Sequence, residues 1–117
     1  MSEPDAAGLI GEPRIRLPAR ARAGEVVQVR TLVAHPMETG YRITTDGEKV
    51  PRRIIERFRC HYDGRLIVDA ELRPAVAANP YLEFRFVADR SGEIRFEWIE
   101  DTGAVRRVRR RIEVEQA

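Results

Sequence analysis

The sequence predicts an all-β fold, an immunoglobulin-like antiparallel β-sandwich of about seven strands, on three observations. Apolar and polar residues alternate in short segments along most of the chain. Gly, Pro, Asn and Asp recur between those segments at the spacing of strand turns. No stretch carries a helical period. Strands with one apolar and one wet face belong in two antiparallel sheets packed face to face. The single cysteine, Cys60, rules out the paired cysteines of antibody domains, so the likeness is to the wider group of such sandwiches.

Each element follows from local pattern. Arg14 to Leu17 reads as a short first strand closed by Pro18. Ala23-Gly24 leads into Glu25 to Ala34, with Val27, Val29, Thr31 and Val33 on one face. Pro36 to Arg53 is a long polar loop carrying Gly40, Gly47 and Pro51, and loops of this length usually have a function or are mobile. Ile54 to Tyr62 turns Phe58, Cys60 and Tyr62 inward and Arg57, Arg59 and His61 outward. Asp63-Gly64 signals a two-residue hairpin into Arg65 to Leu72, whose Leu66, Val68, Ala70 and Leu72 share a side. Beyond Pro74 to Pro80, Tyr81 to Val87 places Leu82, Phe84 and Phe86 inward. Asp89 to Gly92 turns the chain into Glu93 to Glu100, where Ile94, Phe96 and Trp98 continue the inner row. Asp101-Thr102-Gly103 makes the last turn, into Ala104 to Val114.

The 117 residues make one domain, over 14–117, large enough to bury a core without metal or disulfide support. Residues 1–13 are expected to form a flexible tail. Apolar runs are only a few residues long, so no membrane span is expected. The first residues lack the basic-then-apolar pattern of a secretory signal, which alone would indicate cytoplasm. Net charge is +2, and all basic residues but Lys49 are Arg. That balance marks no overall polyanion binder, and scattered Arg residues read as a solvated surface.

Few residues could carry chemistry. Cys60 and His61 are neighbours on one strand, so their side chains point to opposite faces and cannot act together. Cys60 is expected to be a small buried hydrophobe beside Phe58 and Tyr62, and His61 an outer-face residue. His35 ends a buried strand before Pro36. A metal there would need partners that only His61, Cys60 or a carboxylate could supply, and no ligand spacing supports one, so no metal or cofactor is expected. Ser2 and Ser91 are the only serines and lie in the tail and a turn, which leaves no credible Ser-His-Asp set. No phosphate-binding glycine loop is present, and nothing places Glu97 and Glu100 in a cleft. These features argue against an enzyme, and no catalytic residue is assigned.

The run Arg106-Arg107-Val108-Arg109-Arg110-Arg111 allows an alternative, a small basic module that binds nucleic acid or another protein through its last strand. Cross-strand pairing of Arg107, Arg109 and Arg111 with Glu56, Glu83, Glu93 or Glu97 explains the run without a ligand. Exposed aromatics interleaved with the basic residues are lacking, so no nucleic acid is expected. Arg110 falls on the side of Val108 and Ile112, which an edge position, a bulge or snorkelling would accommodate.

Two blocks are not required by alternation at all: His35-Pro36-Met37-Glu38-Thr39-Gly40 and Asn79-Pro80-Tyr81-Leu82-Glu83-Phe84. With the frame around them (Ala23 to Val27, Thr31 to Ala34, Pro51 to Ile55, Phe58-Arg59-Cys60, Tyr62-Asp63-Gly64 and Ser91-Gly92) the chain resembles the SoxZ family. That family is one half of the SoxYZ carrier of bacterial sulfur and thiosulfate oxidation. The resemblance implies an immunoglobulin-like, non-catalytic subunit that forms a heterodimer with SoxY. SoxY carries sulfur adducts on a cysteine of its flexible Gly-rich C-terminal arm to the other Sox enzymes. It also implies the periplasm, reached by export together with a signal-bearing SoxY. Self-association of the isolated subunit as a homodimer stays open. The first dozen residues and the arginine-rich last strand depart from the family pattern. Pro36 to Gly40 and Asn79 to Tyr81 lie in turns or at strand starts, and Pro36, Met37, Glu38, Asn79, Pro80 and Tyr81, with His35 at their base, are the expected partner-binding residues. Met37 would offer an adaptable apolar contact and Tyr81 a rigid amphipathic one.

Overall fold

A computed structural model describes residues 7–73 and 77–116. Eight strands run in chain order: β1 (Arg14–Arg16), β2 (Arg20–Arg22), β3 (Val26–Leu32), β4 (Ile55–Tyr62), β5 (Arg65–Glu71), β6 (Tyr81–Val87), β7 (Gly92–Glu100) and β8 (Val105–Glu115). They form a three-stranded sheet, β1-β3-β6, and a five-stranded sheet, β2-β8-β7-β4-β5. Together they make the expected immunoglobulin-like sandwich.

β2 is the strand that alternation does not predict. It is three residues long and pairs in parallel with the end of β8, Ala21 opposite Val114, the one parallel ladder among the described residues. A single inward residue, Ala21, is too little to register as a period.

The core lies between the sheets. Phe58 on β4 sits 5.2 Å from Trp98 and 6.5 Å from Phe96, both on β7, and 5.9 Å from Phe84 across the sandwich, centroid to centroid. Cys60 is fully buried in the same row, between Phe58 and Tyr62. Tyr62 packs on Phe86 at 4.8 Å, and its hydroxyl accepts hydrogen bonds from the N–H groups of Asp89 and Arg90, so it fixes the β6–β7 turn. The Asp63-Gly64 hairpin has both residues at positive φ, 48° and 81°, as a type I′ turn requires.

Three expectations are corrected. Leu66 faces outward and is exposed, because a bulge at Ile67 slips the β4–β5 register: Leu66 pairs with His61, and Val68 with Cys60. Glu83 belongs to the other sheet and does not pair with the arginines of β8; those meet Glu97, Glu93 and Glu113. The part of the expected tail that is described, Ala7 to Pro13, is docked: Ile10 is buried, and Gly11 N–H donates to Ala34 O at 2.9 Å. An apolar Ile10 within reach of the core is reason enough for this. Pro74, Ala75 and Val76 of the β5–β6 connection lie outside the described residues. Arg110 stays exposed on β8, which is an edge strand along that stretch.

Candidate functional site

At one end of the sandwich the two unexplained blocks of sequence meet. The Asn79 N–H donates to His35 O at 2.9 Å, and the His35 N–H donates back to Asn79 Oδ1 at 3.0 Å. Asn79 holds φ at 55°, a left-handed value that Asn tolerates better than most residues. The chain leaving β3 and the chain entering β6 are thereby clamped together.

Beneath the clamp is a buried charge network. His35 and Glu100 are both completely buried, with Nε2 2.8 Å from Oε2. The other ring nitrogen, Nδ1, accepts the Met37 N–H at 2.9 Å and so carries no proton. Nε2 therefore bears the hydrogen and donates it to the carboxylate. Glu100 also accepts from Arg53 Nε at 2.7 Å, from the Leu9 N–H at 3.2 Å and from the Thr102 hydroxyl. Burial alone would raise the Glu100 carboxyl. The hydrogen bonds from Thr102, Arg53, His35 and Leu9 outweigh that and hold it down at about 2. Gly8 closes over the site, and a Cβ there would lie 2.7 Å from Glu100 Oε1.

Around this base the expected partner-binding residues divide. Pro36, Asn79 and Tyr81 are exposed and Glu38 is half-buried. Glu38 is chelated by Arg42 at 2.7 and 3.1 Å, and that hydrogen-bonded guanidinium lowers its carboxyl pKa. His35, Met37 and Pro80 are buried. Met37 is a correction: it does not reach outward, because a φ of 50° turns its side chain into the core, where its sulfur accepts the Ile55 N–H at 3.3 Å. Glu38 and Arg53 exchange backbone hydrogen bonds of 2.8 Å at the root of the long loop. From that root project the exposed side chains of Tyr41 and Ile43.

The sequence reading set Glu100 aside and missed Arg53. Glu100 continues the inward row of Ile94, Phe96 and Trp98, and a carboxylate in such a row should have a buried partner. Among the described residues no three His, Cys, Asp or Glu side chains converge as a metal site would need. Cys60 is remote from such chemistry, since burial pushes its thiol up to about 12.

Two sheets tied together at one end by this network define an all-β protein of the immunoglobulin-like sandwich class. Its sequence matches the family model described as "Sulphur oxidation protein SoxZ" over residues 15–110, and the chain belongs to that family. No curated protein matched by sequence. Among solved structures it is similar to a point variant of superoxide reductase (neelaredoxin) from Ignicoccus hospitalis, at 18% identity and a TM-score of 0.69 over 97% of this chain and 87% of that one. It is also similar to the sulfur carrier protein SoxY from Chlorobium limicola f thiosulfatophilum, at 14% identity and 0.61 over 88% and 78%. A PKD domain of an M14-like peptidase from a Thermoplasmatales archaeon shares 9% identity at 0.59, over 90% and 94%. At these identities the likeness is one of fold.

Proposed function

We propose that this chain is the non-catalytic subunit of a SoxYZ-type carrier and binds a SoxY-type chain whose C-terminal cysteine arm holds the sulfur intermediates. Membership of the SoxZ family ties the chain to the Sox system. The observation that carries the finer reading is the His35–Asn79 clamp, which gathers the two blocks into one surface. That surface presents Pro36, Glu38, Asn79 and Tyr81 to a partner, on a base that cannot shift without breaking a buried ion network.

The support suits the task. A carrier thiol that visits several enzymes would be trapped by a reactive cysteine nearby, and Cys60 is buried and held as the thiol. Compartment follows the partner in this reading: co-export with a signal-bearing SoxY-type chain would place the complex in the periplasm. The arginines of β8 favour no second reading, because Arg107 and Arg111 already sit 2.7 and 2.6 Å from Glu97 and Glu113.

Co-expression with a SoxY-type chain bearing a Gly-rich, cysteine-containing C-terminus tests the proposal. One-to-one co-elution and a calorimetric Kd in or below the micromolar range are expected. Absence of any association at about 100 μM would overturn it.

A further inference from the structure

The sheet edges are unequally guarded. β1 and β2 are three residues long, β5 is broken by the bulge at Ile67, and the stretch of β8 that β2 leaves uncovered, Val105 to Ile112, carries five arginines whose like charges repel a second copy. Short edge strands and bulges are the usual protections against edge-to-edge pairing. β6 has neither: it runs seven residues in unbroken register with β3, and among the described residues no strand pairs with its other edge.

The hydrogen bonds at the two ends of β6 show which backbone groups are free. Ala88 N–H donates to Glu25 O at 2.9 Å, and Val33 N–H donates to Pro80 O at 3.3 Å. Even-numbered residues therefore turn their N–H and C=O toward β3. Tyr81, Glu83, Arg85 and Val87 turn theirs to the open edge, with their side chains exposed on the outer face.

The order of side chains along this edge is self-complementary. An antiparallel copy centred on Phe84 sets Glu83 opposite Arg85 of the copy, and Arg85 opposite its Glu83. Tyr81 then faces Val87, and Leu82 faces Phe86. Arg85 takes part in none of the ion pairs among the described residues, whereas Glu83 is already oriented by the Tyr81 hydroxyl at 3.1 Å and by Arg30 at 3.8 Å.

We infer that the isolated chain pairs with a second copy of itself through β6, antiparallel about Phe84, so that two three-stranded sheets join into one continuous sheet. The contact is isologous and closes on itself as a two-fold dimer. Backbone hydrogen bonds and the half-buried flanks of Leu82 and Phe84 supply the attraction. The exposed charges set the register more than the strength. This pairing stands independently of the proposed carrier role. It does occupy Tyr81, so a second copy and a SoxY-type partner seated at that residue exclude one another.

Sedimentation equilibrium on the full chain, from about 1 to 200 μM, tests the pairing. The parent is expected to dimerise. Glu83→Arg and Arg85→Glu each oppose like charges across the two-fold and should weaken the dimer at least tenfold, with thermal melting of the monomer unchanged. Mixing the two variants pairs an all-basic edge with an all-acidic one and should restore a one-to-one dimer, as should the double variant E83R/R85E. A monomeric parent at 200 μM, single variants that dimerise as well as the parent, or a mixture that stays monomeric would each overturn the inference. So would a monomeric parent whose binding to a SoxY-type chain is weakened by Arg85→Glu, since the edge would then belong to that partner.

Discussion

His35 Nε2 lies 2.8 Å from Glu100 Oε2, with both side chains excluded from solvent and 65 residues between them in sequence. The contact joins the segment that follows β3 to the last residue of β7, two strands that belong to opposite sheets. A buried carboxylate survives only when its lone pairs are taken up, and here two side-chain cations or donors, a hydroxyl and a backbone N–H do so. The network ties together the docked N-terminal segment, the root of the long loop and the β7–β8 turn.

Acid should attack this network first. The Glu100 carboxyl sits at about 2 in the folded protein against 4.5 ordinarily, so the unfolded chain binds the extra proton between those values. Its contribution, on the order of 3 kcal/mol, is complete above about pH 4.5 and is lost as pH falls toward 2. Urea melts across that range should show stability falling with acid. Glu100→Gln should flatten that fall and cost about 3 kcal/mol at pH 7, because Arg53 and His35 lose their charged acceptor. A Gln variant with parental stability at neutral pH would contradict this account.

Cys60 should resist thiol reagents. Burial holds its thiol at about 12 instead of 9, so the folded state keeps the proton and its advantage persists below pH 9, fading only as pH climbs toward 12. Labelling of the native protein at pH 8 should therefore follow unfolding, with fast stoichiometric reaction appearing only in denaturant. Prompt labelling without denaturant is the contrary result.

Trp98 and Phe84 should differ in weight although they share one aromatic cluster. Trp98 is wholly buried between Phe58 and Phe96, and its truncation to Ala should cost about 3–5 kcal/mol. Phe84 touches Phe58 from the opposite sheet but is only half-buried, so Phe84→Ala should cost less, about 1–3 kcal/mol. Denaturant melts of the two variants settle the order.

Much of this architecture is legible from alternation. β3, β6 and β7, and β4 from Phe58 onward, carry unbroken inner rows, and their predicted facing agrees with the burial of Val27, Phe58, Phe86 and Trp98. The pattern misleads where the backbone departs from a simple pleat. The Ile67 bulge reverses the facing of Leu66, and a left-handed Met37 sends into the core a side chain that loop position suggested was free. The clamp between His35 and Asn79 joins residues 44 apart through one backbone–backbone bond and one bond to the Asn79 side chain, a long-range pairing that composition and period do not encode. Glu100 was readable in principle, as a carboxylate standing in an aromatic row.

Met37→Ala and Tyr81→Ala should separate folding from partner binding. Met37 is buried, packs in the core and accepts the Ile55 N–H, so its truncation should cost about 2–4 kcal/mol of stability. Affinity for a SoxY-type chain should then fall only as far as the folded fraction falls. Tyr81 is exposed at the start of β6 and its hydroxyl contacts only Glu83, so Tyr81→Ala should alter stability by less than about 1 kcal/mol. As a rigid exposed aromatic in the proposed surface, its loss should cost about 1–2 kcal/mol of binding, roughly a tenfold rise in Kd. Thermal melts paired with calorimetric titration measure both quantities on the same samples. If Tyr81→Ala binds as tightly as the parent while Met37→Ala loses affinity at full folding, the exposed surface is misassigned and the partner reads the core-side conformation of the loop.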